Sequence, residues 1–222
     1  MRAVRETGLA AGDRAADVGC GTGQHAAAWV PLGITALAVD PSPGMLRAAR
    51  RHPGVLPVGA RAEALPLRDS SLGLAYFHLS LQHTSWRRAI AEAARVVRPG
   101  GGLWIWTLGP DHHPASFLAR WFPSVAAIDL RRFPDPVAVA AAARAGGFGD
   151  VAMEREVDEM VRRAGDWEAA VRAGFVSTLQ LVDPEEIEAG LAEFRSAHPD
   201  PGAAVRYELR YTVIRALGRS LP

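Results

Sequence analysis

Gly19, Gly21 and Gly23 fall within the run Asp17-Val18-Gly19-Cys20-Gly21-Thr22-Gly23-Gln24, directly after an apolar stretch. A strand that enters such glycines and then a helix lets a ligand approach the backbone unobstructed, beside helix amides that face it. The chemistry implied is the holding of a nucleoside-bearing ligand. Spacing narrows the choice, because dinucleotide loops use G-x-G-x-x-G and the third glycine here comes one residue early. A second set with chemical capacity follows the ends of apolar runs: His78, His83, Asp111, His112 and His113. Histidine titrates near neutral pH, so these are candidate proton acceptors, with His83 and His113 as the catalytic candidates. No metal site is expected, since the side chains of neighbouring His112 and His113 diverge and no H-E-x-x-H or cysteine spacing supports one.

Positioning such groups requires strands and helices in alternation. Short apolar runs predict strands at Arg14 to Val18, Ile34 to Asp40, Val55 to Val58, Leu72 to Phe77 and Leu103 to Leu108, separated by alanine-rich helical stretches. Trp86, Ile90, Ala93, Ala94 and Val97 recur at helical spacing, which predicts a helix over Ser85 to Val97, stopped by Arg98-Pro99-Gly100-Gly101-Gly102. The rhythm breaks at Gly109-Pro110-Asp111-His112-His113-Pro114. Beyond it a helix is expected over Pro136 to Gly146, a sixth strand over Asp150 to Val157, and a helix over Pro184 to Ala197 capped by Asp183. Val205, Tyr207, Leu209, Tyr211 and Val213 alternate with polar residues, as in a half-exposed antiparallel strand.

The 222 residues suit one domain, and 25 basic against 24 acidic residues create no field for a nucleic-acid backbone or an anionic membrane. The expected partner is therefore a small molecule. Cys20 is the sole cysteine, which excludes an internal disulfide and fits a reducing compartment. With no export signal or spanning run read in the sequence, a cytoplasmic protein, monomer or homodimer, is expected.

Taken together, Asp17 to Gly23, Val39-Asp40, Ala62-Glu63-Ala64-Leu65-Pro66-Leu67, Leu81-Gln82-His83 and Ala94-Arg95-Val96-Val97-Arg98-Pro99-Gly100-Gly101 resemble the class I S-adenosylmethionine-dependent methyltransferases. The likeness is to the group similar to the enzymes of ubiquinone and menaquinone biosynthesis, and it covers about Leu9 to Leu108. It implies an α/β fold with a doubly wound, seven-stranded, mostly parallel sheet whose last strand is antiparallel. A helical cover would be inserted after strand five and between strands six and seven. Residues 1–108 would form the cofactor-binding half, 109–204 the sixth strand and cover, and 205–217 the final strand.

The resemblance also assigns roles. S-adenosylmethionine would be the cofactor and S-adenosylhomocysteine its product. Asp40 would accept both ribose hydroxyls. Gly19, Cys20, Gly21 and Gly23 would underlie the methionine part, with Asp17 orienting the loop or meeting the ammonium group. Pro41 and Met45 would flank the adenine, Ala62 and Glu63 would meet its edge, and His78 and Leu79 would face the sulfonium and the acceptor. Arg61 and Gly73 stand where the family usually has acidic residues, which leaves adenine recognition to the backbone. About a dozen residues precede the first strand, where the family usually has one or two covering helices, so either residues upstream or another segment would form the lid.

The activity implied is in-line methyl transfer to a small, partly apolar metabolite at oxygen, carbon or nitrogen. The fourth strand ends in Phe77-His78-Leu79-Ser80, unlike the Asn-Pro-Pro-Tyr type of sequence of enzymes that methylate base or glutamine amino groups. Phe117, Trp121, Phe122, Trp167 and Phe175 would either line an apolar pocket or form the core of the insert. The competing readings are a cofactor-binding protein without activity and a nicotinamide-dependent oxidoreductase. The early third glycine and the lack of a Tyr-x-x-x-Lys pair disfavour the latter.

Overall fold

A computed structural model describes residues 2–218; Met1 and residues 219–222, which the expected domain includes, lie outside the described residues. The chain begins with α1 (Arg2–Glu6), β1 (Arg14–Val18), α2 (Gln24–Trp29), β2 (Thr35–Asp40), α3 (Pro43–Ala49), β3 (Leu56–Gly59), β4 (Leu72–His78) and α4 (Trp86–Val96). It continues with β5 (Val97–Leu108), α5 (Phe117–Trp121), α6 (Ser124–Arg132), α7 (Pro136–Ala145), β6 (Phe148–Arg163), α8 (Ala164–Arg172), α9 (Pro184–Ala197) and β7 (Ala204–Gly218). The sheet has seven strands in the order β3-β2-β1-β4-β5-β7-β6, with β7 antiparallel. Its winding reverses between β1 and β4, and in open α/β sheets ligands settle outside the strand ends at that reversal.

Parallel pairing puts Ala16 beside Leu37 on one side and Ala75 on the other, so β1 is covered on both faces and reads as an unbroken apolar run. The pairing of β4 with β5 sets Tyr76 beside Trp104 and His78 beside Trp106. Alternation therefore gives one face of these strands to aromatic rings, where Trp29 of α2 meets Tyr76 edge-on at 5.5 Å. The opposite face buries Ala75, Phe77, Leu103 and Ile105 with Ile90 and Ala93 of α4 and Val139 and Ala143 of α7.

Contacts divide the chain into two compact units, one of residues 2–107, 134–154 and 212–218, the other of residues 108–133 and 155–211. The second has its own core, in which Phe122 stacks parallel to Trp167 at 6.1 Å and Trp167 lies 4.2 Å from Phe194. Trp121, Phe122 and Trp167 are buried in that core and Phe117 packs against it, which decides for core over pocket lining at these positions. Phe175 is exposed and lies beneath Arg162.

Two strands run well beyond their expected ends. β5 begins at Val97, six residues before Leu103, because Arg98-Pro99-Gly100-Gly101-Gly102 is strand as well as helix stop. Its glycines permit close approach: a Cβ on Gly101 would press on the Gly73 carbonyl, and one on Gly102 would strike Thr7. β6 extends to Arg163, well past Val157. α7 and the start of β6 belong to the first unit. At α9 the boundaries agree, and the Asp183 carboxylate accepts from the Glu185 N–H at 2.8 Å. No helix among the described residues is long and apolar enough to cross a membrane.

Candidate functional site

The glycine loop follows β1 and is fixed from two directions. The N–H groups of Gly19 and Cys20 both donate to the Val39 carbonyl at the end of β2, at 2.8 and 3.0 Å. From β4, Ser80 Oγ donates to the Val18 carbonyl at 2.7 Å, so the ends of β1 and β4 are tied across the reversal point. Gly19 has φ +75°, and a Cβ there would strike the Ser80 side chain; only glycine meets both conditions. Leu79 takes the uncommon φ of +49°, which turns the chain at the end of β4.

Two cavities share Gly19 and Gly21. The larger, about 370 Å³, is bounded by Asp40, Pro41 and Met45 after β2 and by Ala60 to Glu63 after β3. Leu79, Ser80, His83 and Thr84 close its other side. Asp40 is 8% exposed and accepts from Gly21 N–H at 3.1 Å and Ser42 N–H at 2.8 Å, one bond to each oxygen. Each oxygen keeps a lone pair for a ligand. Met45 borders this cavity and is 43% exposed. Glu63 accepts from Ser85 N–H at 2.6 Å and lies 3.7 Å from Arg61, so its carboxylate is engaged within the protein.

The smaller cavity, about 320 Å³, is bounded by Asp17, Cys20, Thr22, Gln24, His25 and His78 in addition to the shared glycines. Asp17 is 1% exposed and neither carboxylate oxygen completes a hydrogen bond. Burial pushes its carboxyl up to about 7 and the charge of Asp40 adds to the rise, while the Ala26 N–H opposes it. Cys20 is pushed up to about 12, first by burial and then by both aspartates. His78 is brought down to about 4 by burial and by neighbouring His25, and burial lowers His25 too, so both rings are neutral near pH 7. His25 gave no signal in the sequence: it is a single histidine on an alanine-rich helix, and only the register of β4 brings it to His78.

Gly23 lies differently from Gly19 and Gly21. It caps α2 at φ +82°, and its Cα faces Ala49 of α3, where a Cβ would sit 2.8 Å from the alanine methyl. Its place permits close helix packing. His113 belongs to the second unit, is 2% exposed, and has its Nδ1 3.9 Å from an Asp129 oxygen with the Phe133 ring 5.0 Å away. His83 borders the larger cavity, and its N–H donates to the Ser80 carbonyl at 3.1 Å.

Sheet order, the glycine loop at the winding reversal, and an acidic residue after β2 define a Rossmann-like methyltransferase fold. Residues 16–105 match the family model described as a methyltransferase domain. The malonyl-[acyl-carrier protein] O-methyltransferase of Methylococcus capsulatus is 43% identical over 103 residues, which cover 43% of this chain and 38% of that protein. The demethylmenaquinone methyltransferase of Renibacterium salmoninarum is 32% identical over 131 residues, 55% of each. The chain thus spans about half or less of the length of these curated relatives. A crystal structure from Anabaena variabilis, assigned as a methyltransferase of an antibiotic biosynthesis pathway, superposes with a TM-score of 0.78 at 22% identity, covering 96% of this chain and 94% of that one. Residues 16–105 are thus similar to a methyltransferase domain, and the likeness over nearly the whole chain is one of fold.

S-adenosylmethionine, the cofactor that the resemblance implies, fits the residues present. Asp40 at one end has acceptor capacity for a ribose, and the orphaned Asp17 carboxylate at the other awaits a donor such as an ammonium group. Gly19 and Gly21 leave the floor between them free of side chains.

Proposed function

We propose that the protein transfers a methyl group from S-adenosylmethionine to a small, partly apolar metabolite. The observation that carries the reading is the pairing of a buried, partnerless Asp17 with Asp40 at opposite ends of one glycine floor. Bound there, the cofactor supplies an activated methyl group, so the chain's task is alignment of a nucleophile and exclusion of water. Asp40 orients the nucleoside end, Asp17 takes the amino group, and Pro41, Met45, Ala62 and Glu63 enclose the base. His83 is the proton acceptor in this reading, because it borders the cavity that Leu79 also reaches. The burial of His113 against Asp129 and Phe133 fits it for holding the second unit together. An O-methyltransferase among the relatives supports an oxygen acceptor.

The test has two stages. Thermal stabilisation of the chain by S-adenosylhomocysteine but not by NAD is expected, since a ligand that binds only the native state raises its melting temperature. A shift with NAD alone would overturn the reading. Transfer of labelled methyl across a panel of hydroxylated and carbon-acid metabolites, absent in Asp40→Ala, is the second stage; binding without transfer to any of them points to a cofactor-binding protein without activity.

A further inference from the structure

We propose that His25 and His78 form a wall that reads the positive charge of the cofactor's sulfonium, so that the cradle holds the charged cofactor in preference to its neutral product. The inference rests on the proposed function of this site and concerns a discrimination which that reading does not itself supply.

The location follows from how the two cavities meet. Leu79 borders the half that contains Asp40, whereas His78, its neighbour, borders the half that contains Asp17. A ligand that joins a nucleoside to an amino acid through one sulfur must cross the shared glycines beside this pair of residues. At that crossing the rings of His25 and His78 stand 4.4 Å apart and inclined by 44°, an angled pair and not a flat stack. Tyr76 backs both, 5.3 Å from His25 and 6.3 Å from His78, and Trp106 lies 5.8 Å from His78. The rings come from one face of β4 and β5 and from the first turn of α2, and strand register holds them in place.

Electrostatics agree with the geometry. Burial keeps the two imidazoles neutral, so they offer π faces with no positive charge to repel a sulfonium. The acidic groups bordering the two cavities are Asp17, Asp40 and Glu63, and the one arginine bordering them, Arg61, has a side chain 73% exposed. S-adenosylmethionine and S-adenosylhomocysteine share the adenosine and amino-acid ends, so the hydrogen bonds that Asp40 and Asp17 offer to those ends are common to both. They differ in one methyl group and its charge. The carboxylates act on that charge from a distance, and the ring wall is what the chain puts beside the sulfur.

Calorimetric titration of the full chain with each compound tests this. The wild-type protein is expected to bind S-adenosylmethionine about fivefold or more tightly than S-adenosylhomocysteine, within the range of a desolvated cation–π contact. His78→Leu is expected to bring that ratio to about one while S-adenosylhomocysteine affinity stays within about twofold, and His78→Phe to keep the preference. His25→Leu, from the other side of the wall, is expected to reduce the ratio too, which keeps the test available should His78→Leu not fold. Equal weakening of both compounds in the leucine variants, or a wild-type ratio of one or below, overturns the inference while leaving the proposed function standing. Failure of the wild-type chain to bind either compound overturns both.

Discussion

Two buried aspartates, Asp17 in the first unit and Asp129 in the second, are treated in opposite ways. Asp129 of the second unit accepts from Thr178 Oγ1 at 2.6 Å, and that hydroxyl in turn accepts from Arg132 at 2.8 Å. A second Arg132 nitrogen donates to Ser177 at 3.0 Å, so α6 is fastened to the turn after α8 by a satisfied network. Asp17 of the first unit is more deeply buried, yet neither of its oxygens completes a hydrogen bond. Burial raises both carboxyls, but Thr178 and Arg132 oppose the rise at Asp129, whereas Asp17 reaches about 7. A buried polar network that closes on itself is structural; one left open at a cavity wall is waiting for something.

The largest expected effect breaks this comparison at Asp17. Its folded value, about 7, lies above its ordinary 3.8, so its contribution is intact below the lower value and is lost as pH rises through the higher. The ligand-free protein should lose about 4 kcal/mol of stability between about pH 4 and pH 8 from this group alone. Asp17→Asn should remove that slope in denaturant titrations while abolishing the stabilisation given by S-adenosylhomocysteine; a slope unchanged by the substitution would refute the assignment. Next in size, Asp129→Ala should cost about 3 kcal/mol at neutral pH, because Arg132 and Thr178 lose their buried partner. That loss should be the same with and without cofactor.

A smaller effect has the opposite sign. His112 and His113 are both brought down to about 4 by burial, so their contribution is present above 6.5 and is lost as pH falls toward the lower value. Hydrogen exchange should therefore show protection in the second unit falling by about 1–2 kcal/mol between about pH 6.5 and about pH 5.5, while the glycine loop of the ligand-free chain gains protection. Parallel trends in both units would erase the contrast. Smallest is Ser80→Ala, which removes the tie to Val18 and should cost about 1 kcal/mol, measured by chemical denaturation.

The glycine loop and Asp40 were legible because their jobs are local: a turn that only glycine can make, and a carboxylate at a strand end. The cap at Asp183 was legible for the same reason. Gly23 could be seen but not understood, since its spacing suited a cofactor floor and its partner, Ala49, lies 26 residues further on. The Arg98 to Gly102 segment hid its strand, because glycine has poor strand propensity and the need for it comes from Gly73 and Thr7 across the backbone. β6 was underestimated for a related reason: Glu154 to Arg163 is largely charged, and its strand character comes from pairing in the sheet. His25 could not be found at all by pattern, as its meaning depends on the register that brings His78 alongside.

Cys20 bears on how occupancy of the glycine floor can be followed. It is the sole cysteine, 8% exposed and with its thiol pushed up to about 12, so it reacts slowly with alkylating reagents at neutral pH. It also borders the smaller cavity. A ligand lying over Gly19 and Gly21 would cover it, and the fall in labelling rate, read by mass spectrometry, reports that occupancy without an engineered probe.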